Sequence, residues 1–303
     1  MTETGSYSDA VRAEESLAIW LVDRFGPDNI ARIVGHPGFD DALRRSTIGA
    51  LAHFQADPAF SSVFKDLGRF YVGTLCIHLH ATPGGLTLSR LKGLCHQSSF
   101  ISATAAEALL AYMRDIDFFE PAAEQPDRRA LVLTPTPALW ANFRERFKLE
   151  MEAAAQVEPA LDRLVALWEA PGVFNAFMAA HGRDSLIIAS VYDIRPPGLV
   201  LLYERAAGPL LLMALMAGAK PEDSYPPRLP VPLSMKALAQ TFEVSRPHVA
   251  RFIELGEKAG FFERHGRELL LTPMLRERLT YFYASTYAQT IAAGLETMAR
   301  LGL

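Results

Sequence analysis

The chain has 303 residues, half of them hydrophobic and 21% charged, with a net charge of −4. It is long enough for one large or two ordinary domains and too apolar to be disordered. Its two cysteines, Cys76 and Cys95, exclude a disulfide framework and point to a reducing, cytoplasmic setting. The start, MTETGSYSDAVRAEES, has no basic region followed by an apolar one, so no signal peptide is expected. The longest uncharged apolar run, Ala206 to Ala219, falls short of the roughly 20 residues a membrane crossing needs and is expected to be a buried helix.

In chain order, residues 1–36 are expected to form an N-terminal helical segment. An apolar helix, FKDLGRFYVGTLCIHLHA, is then followed by helices over LSRLKGLCHQS and SATAAEALLAYMRDID. Ser102 is a candidate N-cap for the latter, or Thr104 and Glu107 form a capping box. Strands over FFEP and ALVLT enclose a polar loop, and the helix PALWANFRERFKLEMEAA follows. The order then recurs. An apolar helix, GLVLLYERAAGPLLLMALMAG, precedes SMKALAQTF, capped by Ser234, and RPHVARFIELGEKAG, capped by Ser245 with Pro247 in its first turn. Val249, Phe252, Ile253 and Gly256 would face the core, and Gly260 would stop the helix. FFER, a tight His-Gly turn and ELLLT predict a β-hairpin, and a long C-terminal helix begins at PMLRERL.

This recurrence extends along most of the chain. Phe118-Phe119-Glu120 matches Phe261-Phe262-Glu263 at an offset of 143, and Leu133-Thr134-Pro135 matches Leu271-Thr272-Pro273 at 138, which makes the second loop five residues shorter. Gly73-Thr74-Leu75 matches Gly208-Pro209-Leu210 at 135, and Pro37-Gly38 matches Pro171-Gly172 at 134. The proline-rich insert KPEDSYPPRLPVP accounts for the jump in offset. Ordered matches at nearly constant spacing imply an internal duplication, with one repeat in 37–150 and the other in 151–303. Helix, turn, helix and hairpin is the order of a winged helix-turn-helix. The expected fold is mainly α with small β-wings: tandem winged units on a shared helical scaffold.

The run PDRRALVLTPTP resembles the wing of the MarR family of bacterial winged-helix transcriptional regulators, in which a D-R-R-type loop precedes L-T-x and a long dimerisation helix. The resemblance covers roughly residues 70–150. It implies a DNA-binding regulator in which an arginine of Arg128–Arg129 enters the minor groove while Asp127 shapes the loop. It also implies responsiveness to a small aromatic or lipophilic effector. Family members are usually homodimers, so a chain with both units fused would be an intramolecular pseudo-dimer, with further homodimerisation left open.

Charge along the chain bears on double-stranded DNA as partner. Residues 228–282 carry nine basic and six acidic groups, whereas residues 151–227 carry five and nine. Within the basic segment, Arg246, His248 and Arg251 fall on the outward side of the expected recognition helix, and Arg264 and Arg267 on its hairpin. In the first copy the corresponding positions are Ser102 and Thr104, with Glu107 of the wrong sign for phosphate. The first copy is therefore expected to read bases poorly. The acidic total and that uncharged helix also suit a winged-helix scaffold that has lost DNA binding and makes protein contacts instead.

Other residues point nowhere specific. His78 and His80 are two apart on a helix and do not share a face, which is poor spacing for a metal. Cys76 and Cys95 have no adjacent basic residue and are expected to be core residues. No nucleophile elbow, phosphate loop or glycine-rich nucleotide fingerprint is present, so neither an enzyme nor a cofactor is expected.

Overall fold

A computed structural model describes residues 21–96, 101–125, 130–191 and 198–303. The chain is mainly helical with two small antiparallel sheets. Its first half runs α1 (Pro27–Val34), α2 (Phe39–Ala56), α3 (Pro58–Phe64), α4 (Leu67–His80), α5 (Leu88–Cys95), α6 (Ala103–Asp115), β1 (Phe119–Pro121), β2 (Leu133–Pro135) and α7 (Pro137–Val157). A 3-10 turn at Pro159–Leu161 and the short α8 (Asp162–Ala166) follow. The second half runs α9 (Val173–Val191), α10 (Val200–Tyr203), α11 (Gly208–Ala217), β3 (Val231–Pro232), α12 (Met235–Thr241), α13 (Arg246–Lys258), β4 (Phe262–His265), β5 (Glu268–Leu271) and α14 (Pro273–Leu301).

The helices of the two halves interlock. In the first half α2 lies along α7, and in the second α9 lies along α14. Across the halves α4 packs on α9, α11 packs on α2, and the two long helices α7 and α14 pack together. Apolar residues at helical spacing on α7, such as Phe143, Phe147, Met151 and Ala154, are all buried in this seam and its surroundings. Trp168, expected in the core, is 1% exposed, and its indole N–H donates to the Arg144 carbonyl at 3.0 Å, which satisfies its one polar atom.

The same backbone hydrogen bonds occur in both halves. Ser102 Oγ accepts from the Ala105 N–H and Ser245 Oγ from the His248 N–H, each at 3.2 Å, so both N-caps form as expected and at an offset of 143. The Phe118 N–H donates to the Met113 carbonyl and the Phe261 N–H to the Gly256 carbonyl, both at 2.8 Å. Asp117 (φ 57°) and Gly260 (φ 73°) both adopt the left-handed conformation that ends the preceding helix. After the hairpins, the Thr136 and Thr272 N–H groups donate to the Phe118 and Phe261 carbonyls, both at 3.0 Å.

Those last two bonds correct the expected alignment. The Leu-Thr-Pro match sets Thr134 opposite Thr272, but the hydrogen bonds set Thr136 there, at an offset of 136. The first loop is thus seven residues longer than the second, not five. The first half repeats Thr-Pro, at Thr134-Pro135 and Thr136-Pro137, and only the second pair begins a helix. A slip of two preserves which face a strand side chain occupies, so the mismatch was invisible in the apolar pattern. Buried Leu133 bridges Leu86 and buried Leu269 pairs with Val231, extending each hairpin towards a third segment.

Two further expectations change. The run GLVLLYERAAGPLLLMALMAG does not form one helix: α10 stops at Tyr203 and α11 begins at Gly208. Ala207 adopts φ 57°, and a Cβ on Gly208 would lie 1.9 Å from the Leu202 carbonyl oxygen, so the chain turns back where only glycine fits. Gly73 lies inside α4 whereas Gly208 begins α11, and alignment from the C-caps Ala81 and Gly218 gives an offset of 137 instead of 135. In α6 the cap is Ser102; Glu107 forms no capping box and pairs instead with Lys92 at 2.8 Å.

Thr272 is buried, donates from Oγ1 to the Gly260 carbonyl at 2.7 Å and caps α14, whereas Thr136 is less buried, donates to the Asp117 carbonyl at 3.0 Å and makes no side-chain cap. Replacement of Thr272 by alanine is expected to cost about 1–2 kcal/mol in urea unfolding and the same change at Thr136 about half as much. Equal costs would show that the cap on α14 contributes nothing.

Candidate nucleic-acid interface and interior cavity

Helix α13 divides as its sequence requires. Val249, Phe252, Ile253 and Gly256 are buried, and Gly256 is obligatory because a Cβ there would lie 2.2 Å from the Phe262 ring. The outward side carries Arg246, Arg251, Glu254 and Lys258, all exposed. Among the described residues neither Arg246 nor Arg251 forms an ion pair, so both guanidinium groups keep their full donor capacity. Beside them, Arg205, His248, Arg251, Glu254 and Lys258 border a cleft of about 490 Å³.

The other expected contacts of this unit are differently engaged. His248 is half-buried, and its Nε2 lies 2.9 Å from the Ala206 carbonyl, so the ring ties α13 to the α10–α11 turn instead of projecting outward. Arg264 donates from Nε and Nη2 to the two carboxylate oxygens of Glu257, at 3.1 and 2.9 Å, and its charge is neutralised by the helix it would flank. Arg267 is exposed and follows Gly266 (φ 63°) at the hairpin tip.

In the first unit Ser102 Oγ is occupied as the N-cap, while Thr104 is exposed. Around Thr104 the outward face consists of Ala105, Ala108, Ala111 and Tyr112, without a cation before Arg114. Asp127, Arg128 and Arg129 lie outside the described residues.

A second feature lies between the two halves. A cavity of about 410 Å³ opens among α2, α4, α7, α9, α11 and α14. Its walls are largely aromatic, including Phe54, Phe70, Phe147, Tyr203, Phe282 and Tyr283. Glu150, 6% exposed, accepts from Thr290 Oγ1 at 2.6 Å and from Arg146 Nη1 at 3.3 Å. Arg146 also lies over the Phe70 ring, 5.6 Å from its centre. His181 packs against the rings of Phe147 and Phe177 at 4.9 and 5.2 Å, and burial pushes its pKa down to about 4, so the ring is neutral near pH 7. Arg146 Nε and His181 Nδ1 are buried without a hydrogen-bond partner among the described residues.

Sequence reasoning did not select these residues. A signal existed: Glu150 falls on the apolar stripe of α7 with Phe143, Phe147 and Ala154, and His181 on that of α9 with Phe174 and Phe177. A charged or ionisable residue on such a stripe needs a buried partner. Elsewhere the expectations of ordinary core residues match the contacts. Cys76 and Cys95 are buried, with both thiols pushed up by burial, and His78 Nδ1 lies 3.0 Å from the Met178 carbonyl. Among the described residues no group of three or more His, Cys, Asp or Glu side chains could hold a metal ion. None of the described helices is long and apolar enough to cross a membrane.

None of the protein families, curated proteins or solved structures compared with the chain matches it.

His181 ordinarily titrates near 6.5 and in the fold near 4, so between those values the unfolded chain binds more protons than the folded one. Stability is therefore complete above about pH 6.5 and falls as pH drops towards 4, by roughly 3 kcal/mol for this ring. Denaturant titrations across that range are expected to show a shallower fall for His181→Gln, with the remaining slope supplied by His53, His78 and His80, whose pKa values burial also lowers. An unchanged slope would mean that His181 is not buried as a neutral ring.

Proposed function

We propose that the chain is a duplex-DNA-binding transcriptional regulator of the cytoplasm, built as two winged helix-turn-helix units that form an intramolecular pseudo-dimer. The single observation that carries this reading is α13. It is the second helix of a helix, turn, helix and hairpin unit, its N-terminus is capped by Ser245, and it presents Arg246 and Arg251 outward without ion pairs among the described residues. Arginine in that position can donate two parallel hydrogen bonds to guanine or engage a phosphate. The matching backbone hydrogen bonds in the two halves support the duplication, and the resemblance of the first hairpin to MarR-type wings supports the function. The interior cavity offers room for a small aromatic or lipophilic effector.

The two units do not contribute equally. The second supplies Arg246 and Arg251, with Arg267 at its hairpin tip. The first supplies Thr104, together with whatever Arg128 and Arg129 add in the minor groove. Two half-sites about 10 base pairs apart are therefore expected to be unlike in sequence. The alternative of a winged-helix scaffold for protein contacts is favoured by one observation, the uncharged face of Thr104, Ala105, Ala108 and Tyr112.

Gel-shift titrations against DNA upstream of the gene test the proposal. Arg251→Ala or Arg246→Ala is expected to weaken specific binding by about 1–3 kcal/mol where the arginine reads a base. With four to six phosphate contacts, log K is expected to fall with log salt at a slope of about −4 to −5. Specific binding unaffected by either substitution removes α13 from the interface, and absence of duplex binding at low salt leaves the scaffold reading.

A further inference from the structure

We propose that the interior cavity takes one uncharged aromatic molecule per chain, bearing a hydroxyl or carboxamide head, and discriminates against the corresponding carboxylate. This deepens, and rests on, the effector part of the proposed function by naming the ligand's chemical class.

The cavity's volume of about 410 Å³ accommodates a bicyclic aromatic, and its aromatic walls offer stacking and edge contacts to such a ring. Orientation comes from the polar atoms left over. Arg146 Nε donates and has no acceptor among the described residues, and His181 Nδ1 is likewise unpartnered. A buried polar atom without a partner is costly, so a ligand that supplies one gains that free energy on binding. A hydroxyl or carboxamide both accepts and donates, and it can serve the arginine and either form of the neutral ring.

Charge decides between that head and an anion. Arg146 is the buried cation of the cavity, and Glu150 already neutralises it through a contact of 3.3 Å. At the rim stand Lys65 and Asp66, the latter paired with Arg69 at 3.3 Å, so the rim cation lies at the mouth and not beside Glu150. His181 adds no positive charge near neutral pH. An entering carboxylate would bring a second negative charge beside Glu150, where the one buried cation among the described lining residues is already paired, and its desolvation would go unrecovered. A neutral head avoids that cost.

The polar set also occurs once. At the offset of 136 fixed by Thr136 and Thr272, Arg146 and Glu150 correspond to Phe282 and Thr286. At the offset of 134 that relates the starts of α2 and α9, His181 corresponds to Thr47. These counterparts line the same cavity, so the two halves contribute unlike walls to a single site. A symmetric dimer would instead carry two equal ones.

The probes are 2-naphthol, 2-naphthamide and 2-naphthoate, titrated calorimetrically into the full chain near neutral pH without DNA. One equivalent of naphthol and one of naphthamide are expected to bind, each at least about tenfold more tightly than naphthoate. Glu150→Gln retains an acceptor for Thr290 but removes the charge, and is expected to invert the preference so that naphthoate binds more tightly than naphthol. Circular dichroism establishes whether that variant folds; if it does not, the wild-type comparison of the three probes decides alone. Naphthoate binding as tightly as naphthol, two equal equivalents, or no saturable binding of the neutral probes overturns the proposal, as does a folded Glu150→Gln variant with unchanged preference. Because these titrations contain no DNA, loss of the regulator reading in gel shifts would leave the ligand class standing. Failure here with duplex binding intact would remove only the effector site.

Discussion

A carboxylate buried between two long helices is the constraint around which the molecule is arranged. Glu150 of α7 has almost no contact with water, and an isolated charge in such a place would cost several kcal/mol. Thr290 of α14 and Arg146 of its own helix supply the hydrogen bonds that make it tolerable. The Thr290 bond spans 140 residues of sequence and fixes the register of α7 on α14. Each of those helices emerges directly from a hairpin, α7 after β2 and α14 after β5. The polar bond at the seam therefore holds the two hairpin-bearing units in relation to one another, and two of these three side chains, Arg146 and Glu150, border the cavity between them.

The local frame was legible because it rests on short-range physics. Ser245 followed by Pro247, and Ser102 before an alanine-rich helix, identify N-termini through capping chemistry alone, and both caps form. The paired phenylalanines at the start of each hairpin identify where the preceding helix ends, since the N–H groups of Phe118 and Phe261 close the same backbone bond. Thr136 was missed because Thr134 offers the same two letters two positions earlier, and strand periodicity is blind to a shift of two. The break at Ala207 was missed because a run of leucines and methionines continues through it. What interrupts the helix is crowding against Leu202, a contact that no local pattern contains.

The site was less legible than the frame, and for a different reason. Exposure of Arg246 and Arg251 follows from helical phase, so those residues could be placed from their sequence neighbours. The fate of Arg264 could not: its partner Glu257 lies on another element, at a spacing that has no meaning within one helix. His248 shares the helix of Arg251 yet turns to a carbonyl more than forty residues away in sequence. The cavity takes Thr47, Arg146, His181 and Tyr283 from four helices spread over most of the chain. Periodicity marks each as facing inward and says nothing about which inward faces meet.

The cavity and α13 share one structural element. Tyr203, Leu210 and Met213 border the cavity, and between Tyr203 and Leu210 lies the turn whose Ala206 carbonyl holds His248. A molecule lodged against those side chains thus touches the two short helices that support the outward-facing arginines. Contact alone does not constitute regulation: a ligand shifts a conformational balance only by the difference in its affinity for the two states. The turn has the properties such a difference requires. Ala207 is held at positive φ, Gly208 admits no side chain, and the turn reaches α13 both through the His248 hydrogen bond and through the packing of α10 on α13, so a change in α11 packing has a direct route to that helix. The first unit has no matching device at the corresponding point, since the residue equivalent to His248 by the 143 offset is Ala105, whose side chain can make no such bond. The polar groups of the cavity thus lie mainly on the seam helix of one half and the helix with the outward-facing arginines in the other, an arrangement that two identical subunits could not adopt.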